Sequence, residues 1–146
     1  MFGGFDAGKK VKGRKRHILT DSNGLLLGVV VTPASVQDRD GACLLAGRMK
    51  GRLPRIKLVR ADSAYRGEAV AKAFGDCLQA RMEIVERSKD QKGFVVIAGR
   101  WVVERTFAWI GRNRLLSREQ EELPSTSEAA IQTAMCRLMM RRLART

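Results

Sequence analysis

Histidine, paired cysteines, aromatics and long apolar runs are what this 146-residue chain has little of. His17 is its single histidine, which argues against a His-ligated zinc site and against a His-based catalytic triad. Cys43, Cys77 and Cys136 are odd in number, scattered and without CxxC spacing. They exclude a disulfide or zinc framework and predict buried, reduced thiols of a cytosolic protein. No apolar run approaches the roughly 20 residues of a membrane span and no signal peptide is visible. The expected location is therefore the cytoplasm, with no membrane partner. Aromatic residues are 5% of the chain, so there are few platforms on which unpaired bases could stack.

What is abundant is positive charge. Lys and Arg number 28 against 15 Asp and Glu, a net +13 with a pI near 10.7. Such a balance predicts a polyanionic partner, nucleic acid before all others. Hydrophobic residues at 45% exclude a disordered basic tail, and the length suits one domain with a real core. Residues 1–8 are glycine-rich and read as loosely held. Lys9, Lys10, Lys12, Arg14, Lys15 and Arg16 then form a dense run, readable as a solvated arm or as direct phosphate contacts.

From Arg16 to Asp21 the pattern predicts a strand, with Asn23-Gly24 as the hairpin turn and Leu25–Thr32 as a buried, valine-rich second strand. A short helix follows, capped by Ser35 or Asp38 and running to Met49. Ile56–Asp62 reads as a strand ending on Asp62, Glu68–Leu78 as a helix, and Met82–Val85 and Phe94–Ala98 as short strands. Arg100 to Leu116 reads as an amphipathic helix, with Trp101, Val102, Phe107 and Ile110 as packing bulk. Glu104, Ala108 and Gly111 share its other side. Residues 117–124 read as a linker. Ser125-x-x-Glu128 reads as a capping box opening a last helix striped by Ile131, Met135, Leu138 and Met139. The expected architecture is a mixed α/β sheet flanked by helices. Its divisions are a flexible basic arm (1–15), a central portion (16–116), and a linker with a C-terminal helix packed on the same domain (117–146).

Asp62 stands where a strand ends before a loop and helix, the edge at which open α/β sheets bind ligands. Glu104 lies on a helix with Arg100, Arg105, Arg112 and Arg114 nearby. Two such carboxylates can share a proton as an acid/base pair, form ion pairs with the arginines, or hold Mg2+, a hard ion that takes oxygen ligands. Where the partner is a phosphodiester, the third use fits the charge balance. The arginines would then bind phosphate oxygens.

Four stretches in order, Gly8–Leu19, Val31–Asp40, Ala61–Gly67 and Arg100–Trp109, resemble the DDE transposases of bacterial insertion sequences, in particular the IS5-type branch of the IS4-like superfamily. The resemblance implies a ribonuclease-H-like fold and cutting and joining of DNA at element ends by two Asp and one Glu holding divalent metals, Mg2+ or Mn2+. It also implies a nucleoid-associated bacterial protein that works as a homo-oligomer on DNA. By motif, Asp62 takes the place of the second Asp and Glu104 that of the Glu, both as catalytic metal ligands. Arg100 falls on the arginine of a Tyr-x2-Arg-x3-Glu-x6-Lys signature. Ile97 stands at its tyrosine position and Gly111 at its lysine position, with Arg112 and Arg114 close by. The family's first Asp belongs to a strand ahead of the basic run. Asp6 comes too early for it, and Asp21 sits at a turn. The expectation is a chain lacking its first strand, active when complete. The alternatives are an inactive, basic DNA-binding remnant of an element, and an RNA-binding protein of ribosomal type.

Overall fold

The computed structural model describes residues 4–6, 11–86 and 101–145. Among them are five strands and four α-helices, a mixed α/β architecture of the expected class and compatible with a ribonuclease-H-like fold. The chain divides into two compact units, one of Met1–Val36 with Val102–Thr146 and the other of Gln37–Trp101.

The first unit is built on an antiparallel sheet. A short strand, β1 (Gly4–Asp6), pairs with β2 (Val11–Thr20), which pairs with β3 (Leu26–Pro33). Two boundaries differ from expectation. Gly4–Asp6 is a strand rather than part of a loose segment, and Phe5 lies opposite Lys12. β2 begins at Val11 rather than Arg16, so Lys12, Arg14 and Lys15 stand on it. β3 is the predicted buried strand, with Val29, Val30, Val31 and Thr32 all buried. The lone histidine is structural here. His17 is buried, its Nε2 lying 2.9 Å from Thr32 Oγ1 on the neighbouring strand.

The hairpin turn is set by Asp21, whose Oδ1 accepts from the backbone N–H of Asn23 (2.9 Å) and of Leu25 (2.8 Å). Gly24 takes φ 78°, a left-handed conformation that suits glycine. Against this turn packs α3 (Trp101–Gly111). Its buried face is Val102, Thr106 and Ile110, one residue per turn. Thr106 Oγ1 lies 2.7 Å from the Gly24 carbonyl oxygen and 3.0 Å from that of Val102. Of the bulk expected to pack, Val102 and Ile110 do so, whereas Trp101 and Phe107 remain exposed. The helix stops at Gly111 rather than Leu116.

Helix α4 (Pro124–Leu143) starts without the predicted capping box. Pro124 occupies the first helical position, where its missing N–H costs nothing, and Leu123 is the cap residue without a side-chain bond. Ser125 is thereby already helical. Glu128, freed from capping, is buried and accepts from the Val31 N–H at 2.9 Å. The apolar stripe is as expected. Ile131 and Met135 join Val29, Val31, Ile110 and Leu116 in one core, flanked by half-buried Leu138 and Met139. Each such side chain contributes about 1.5–3 kcal/mol by leaving water.

The second unit is a β–α–β arrangement with a helix before it. Helix α1 (Asp38–Arg48) is capped by neither Ser35 nor Asp38. Gln37 precedes it without a side-chain bond, and Asp38 and Asp40 in the first turn with Arg48 in the last suit the helix dipole instead. Strand β4 (Leu58–Ala61) leads through a 3-10 turn (Ser63–Tyr65) into α2 (Glu68–Leu78), and β5 (Arg81–Ile84) returns parallel to β4. Val70, Phe74 and Leu78 form the buried stripe of α2, and its C-terminus closes on Gln79 in the left-handed region. The strand expected at Phe94–Ala98 lies outside the described residues. No helix among the described residues is long and apolar enough to cross a membrane. The cysteines are free. Cys43 and Cys77 are half-buried and Cys136 is exposed, so the expectation of three buried thiols fails for Cys136, which lies on the outer face of α4.

Candidate functional site

Asp62 is the residue immediately after β4, where alternation along Leu58–Ala61 delivers the chain to the sheet edge. It is exposed, and its Oδ1 accepts from the Ala64 N–H at 2.9 Å, capping the 3-10 turn. That bond fixes the carboxylate's orientation and leaves Oδ2 without a partner among the described residues. Within the same unit, Tyr65 is half-buried, and its phenol is pushed up to about 12, first by burial and then by the charges of Asp38 and Asp62. It is therefore a neutral hydrogen-bond donor at any physiological pH. Cys43 is no candidate nucleophile. Burial, then Asp40 and Cys77, raise its thiol above the ordinary value.

Glu104 lies in the first turn of α3, exposed and without an ion-pair partner among the described residues. The helix is held in place from its opposite face through Thr106 and the Gly24 turn. Both predicted carboxylates are thus accessible oxygen donors on ordered elements, which is the donor chemistry a hard divalent cation takes. Among the described residues no three His, Cys, Asp or Glu side chains gather as a ready-made metal site. Asp21 is committed to its turn through Oδ1.

The basic residues separate into three groups. Lys9, Lys10 and Arg100 lie outside the described residues. Arg14, Lys15, Arg16 and Arg105 make intramolecular bonds. Arg14 Nη1 donates to the Glu121 carbonyl at 2.7 Å, and its Nη2 donates to that of Glu122. Arg16 Nη1 donates to the Leu116 carbonyl at 3.0 Å, and both arginines approach the Glu119 carboxylate at 3.4 Å. Lys15 Nζ donates to the Val36 carbonyl at 2.9 Å, and Arg105 Nη2 to that of Asn23 at 2.7 Å. Lys12, Arg112 and Arg114 are exposed.

Arg112 and Arg114 also line a cleft of about 620 Å³ beside Trp109, and its opposite wall is the last turns of α4. Four further arginines, Arg137, Arg141, Arg142 and Arg145, stand on that wall. Arg141 and Arg142, in the last turn of α4, also complement the helix C-terminus. Arg137 and Arg141, four residues apart, share one face of α4, and Arg145 follows just past its end. Tyr65 lies within the Ala61–Gly67 stretch, whose sequence does not reveal its half-burial beside Asp38 and Asp62.

A basic mixed α/β chain with one accessible carboxylate at a strand end and another on a helix is the class these observations define. The chain belongs to the transposase DDE domain family, whose pattern it matches over residues 2–139. It is 30% identical over 131 residues to a Burkholderia cepacia protein assigned as a transposase for insertion sequence element IS402. That match covers 85% of this chain, and the chain spans 61% of the relative's length. No solved structure matches it. Membership in the family implies a divalent metal cofactor.

Proposed function

We propose that the chain acts in DNA transposition, as the portion of a DDE transposase that carries two of its metal-binding carboxylates. The observation that supports this most directly is the placement of Asp62, exposed at the end of β4 with one oxygen fixed by the Ala64 N–H and the other available. Asp62 and Glu104 would hold Mg2+ or Mn2+. When bound, the ion would activate a water or hydroxyl toward the phosphodiester and stabilise the leaving oxygen. The chain's own part is to present the carboxylates. The 3-10 turn orients Asp62, and Thr106 fixes the helix from which Glu104 projects. Exposed Lys12, Arg112 and Arg114, with Arg100, Lys9 and Lys10, would meet the DNA phosphates. Arg14, Lys15, Arg16 and Arg105 would act through the backbone they hold. The complete enzyme would act as a homo-oligomer on paired element ends and target DNA, in the bacterial nucleoid.

The test is strand cleavage of DNA carrying element ends by the purified full-length enzyme, with and without Mg2+. Asp62→Asn and Glu104→Gln should each lower the rate on the order of 1000-fold while leaving DNA binding in place. Activity within a few-fold of the parent would remove both residues from the assigned role. A second reading, a basic DNA-binding chain without cleavage, draws on the net charge of +13. It predicts strongly salt-dependent DNA binding and no metal-dependent cleavage at all.

A further inference from the structure

We infer that the cleft between the C-terminal end of α3 and the last turns of α4 is a docking site for the phosphate backbone of duplex DNA, with neither Asp62 nor Glu104 in its described lining. The inference rests on the DNA-acting role proposed above and adds the surface that grips the strand. Six arginines line the cleft, Arg112 and Arg114 from one side and Arg137, Arg141, Arg142 and Arg145 from the other, and among the described residues no acidic one is in its lining. A helix C-terminus favours cations, but only by about 0.3–1 kcal/mol each and only within the last turn. That does not account for Arg137, which lies two turns inside α4, nor for six like charges converging without a carboxylate between them. Such a cluster is self-repulsive until a polyanion fills it.

The chemistry selects phosphate over bases. The aromatic ring in the cleft is already engaged, with the Arg105 guanidinium 4.8 Å and that of Arg142 4.5 Å from the centroid of Trp109. A base seeking to stack there would have to displace them. Phosphate oxygens would instead meet the cleft's guanidinium groups, of which that of Arg142 is seated on the ring, and binding would be indifferent to sequence.

The test compares two triple variants of the chain binding a duplex of arbitrary sequence. Arg137→Gln with Arg141→Gln and Arg145→Gln removes three of the four arginines of one wall using a good helix former. Arg52→Gln with Arg55→Gln and Lys57→Gln removes equal charge from the other unit. The cleft variant should flatten the log–log salt dependence by about 2.7 and weaken binding on the order of 100-fold at 0.15 M salt, with the control within a few-fold of the parent. A second readout uses the Trp101→Phe chain, in which Trp109 is the remaining tryptophan. Its emission should change as duplex is added. Tight duplex binding with equal losses in both variants, or with Trp109 silent, would overturn the cleft and leave the transposase reading standing. Loss of duplex binding in the parent itself would overturn both. Displacement of the duplex from Trp109 by structured RNA at equal concentration would replace the DNA partner with RNA and overturn the inference as stated.

Discussion

In the hairpin unit, polar side chains reach across 82 to 107 residues of chain to tie elements together. Thr106 joins α3 to the Gly24 turn, Glu128 joins α4 to β3, and Arg14 and Arg16 join β2 to the stretch after α3. In the strand–helix unit the corresponding work falls to apolar contact between α1, α2 and β5, through Leu45, Met49, Val70, Phe74 and Leu78. Two of its ion pairs, Arg60 with Glu83 and Arg66 with Glu86, lie on the surface, where such pairs contribute little. The difference teaches what each candidate carboxylate depends on. Glu104 rides on a helix whose seat is set by hydrogen bonds to buried backbone, whereas Asp62 follows a strand whose seat is set by packing.

The contrast can be broken at four points, the largest effect first. Phe74→Ala should cost about 3–4 kcal/mol in urea unfolding, with hydrogen-exchange protection lost first in α1, α2 and β5. Protection lost equally in α4 would mean that the two units do not rest on separate cores. Gly24→Ala should cost about 2 kcal/mol. A Cβ there would come within 2.8 Å of Thr106 Oγ1 at a φ of 78°, so strain and overlap act together. The readout is thermal melting, and in the full-length enzyme a fall in cleavage rate should accompany it as α3 shifts. Unchanged stability would show that the turn does not seat α3. Glu83→Ala should cost no more than about 0.5 kcal/mol, since its partner Arg60 is solvated, and a loss above about 1.5 kcal/mol would give the surface pair a weight the contrast denies it.

The smallest effect is a titration. Tyr65 is the chain's single tyrosine, so tyrosinate absorbance reads it directly, and its midpoint should fall near pH 12 rather than about 10. A folded-state pKa raised above the unfolded value gives stability that is fully present below pH 10 and is lost as the pH rises toward 12. Asp62→Asn removes one of the charges and should lower the midpoint. A midpoint of 10 in the folded parent would mean that Tyr65 is neither buried nor near the acids.

Where the sequence could be read correctly, the determinants were local. The alternation ending on Asp62, the valine run of β3, the Asn-Gly turn and the α4 stripe each follow from neighbours within a few residues. Elsewhere distant partners or a local break override the pattern. Arg14 looked like part of a solvated arm because its partners, the carbonyls of Glu121 and Glu122, are more than 100 residues away. Ser125-x-x-Glu128 had the spacing of a capping box, but Pro124 started the helix earlier and Glu128 was claimed by Val31. Helix α3 was drawn too long because the apolar Leu115 and Leu116 continue its pattern past Gly111, although the chain turns there and Leu116 enters the core from the turn. Of the candidate site, the motif points to Asp62 and Glu104 and the fold adds only that one ends a strand and the other rides a helix, whereas the arginine-lined cleft needs two helices folded against each other.

The stretch from Ser117 to Leu123 has the composition of a spacer, the kind of segment into which tags and foreign loops are commonly spliced. Here both of its ends are fastened. The Leu116 carbonyl accepts from Arg16, Glu119 sits among Arg14, Arg16 and Ser127 Oγ at 3.0 Å, and the carbonyls of Glu121 and Glu122 accept from Arg14. Lengthening it would pull these acceptors away from β2 and strand two guanidinium groups that are only 6% and 19% exposed. For anyone building fusions or circular permutants of this chain, the featureless stretch is therefore the wrong place to cut.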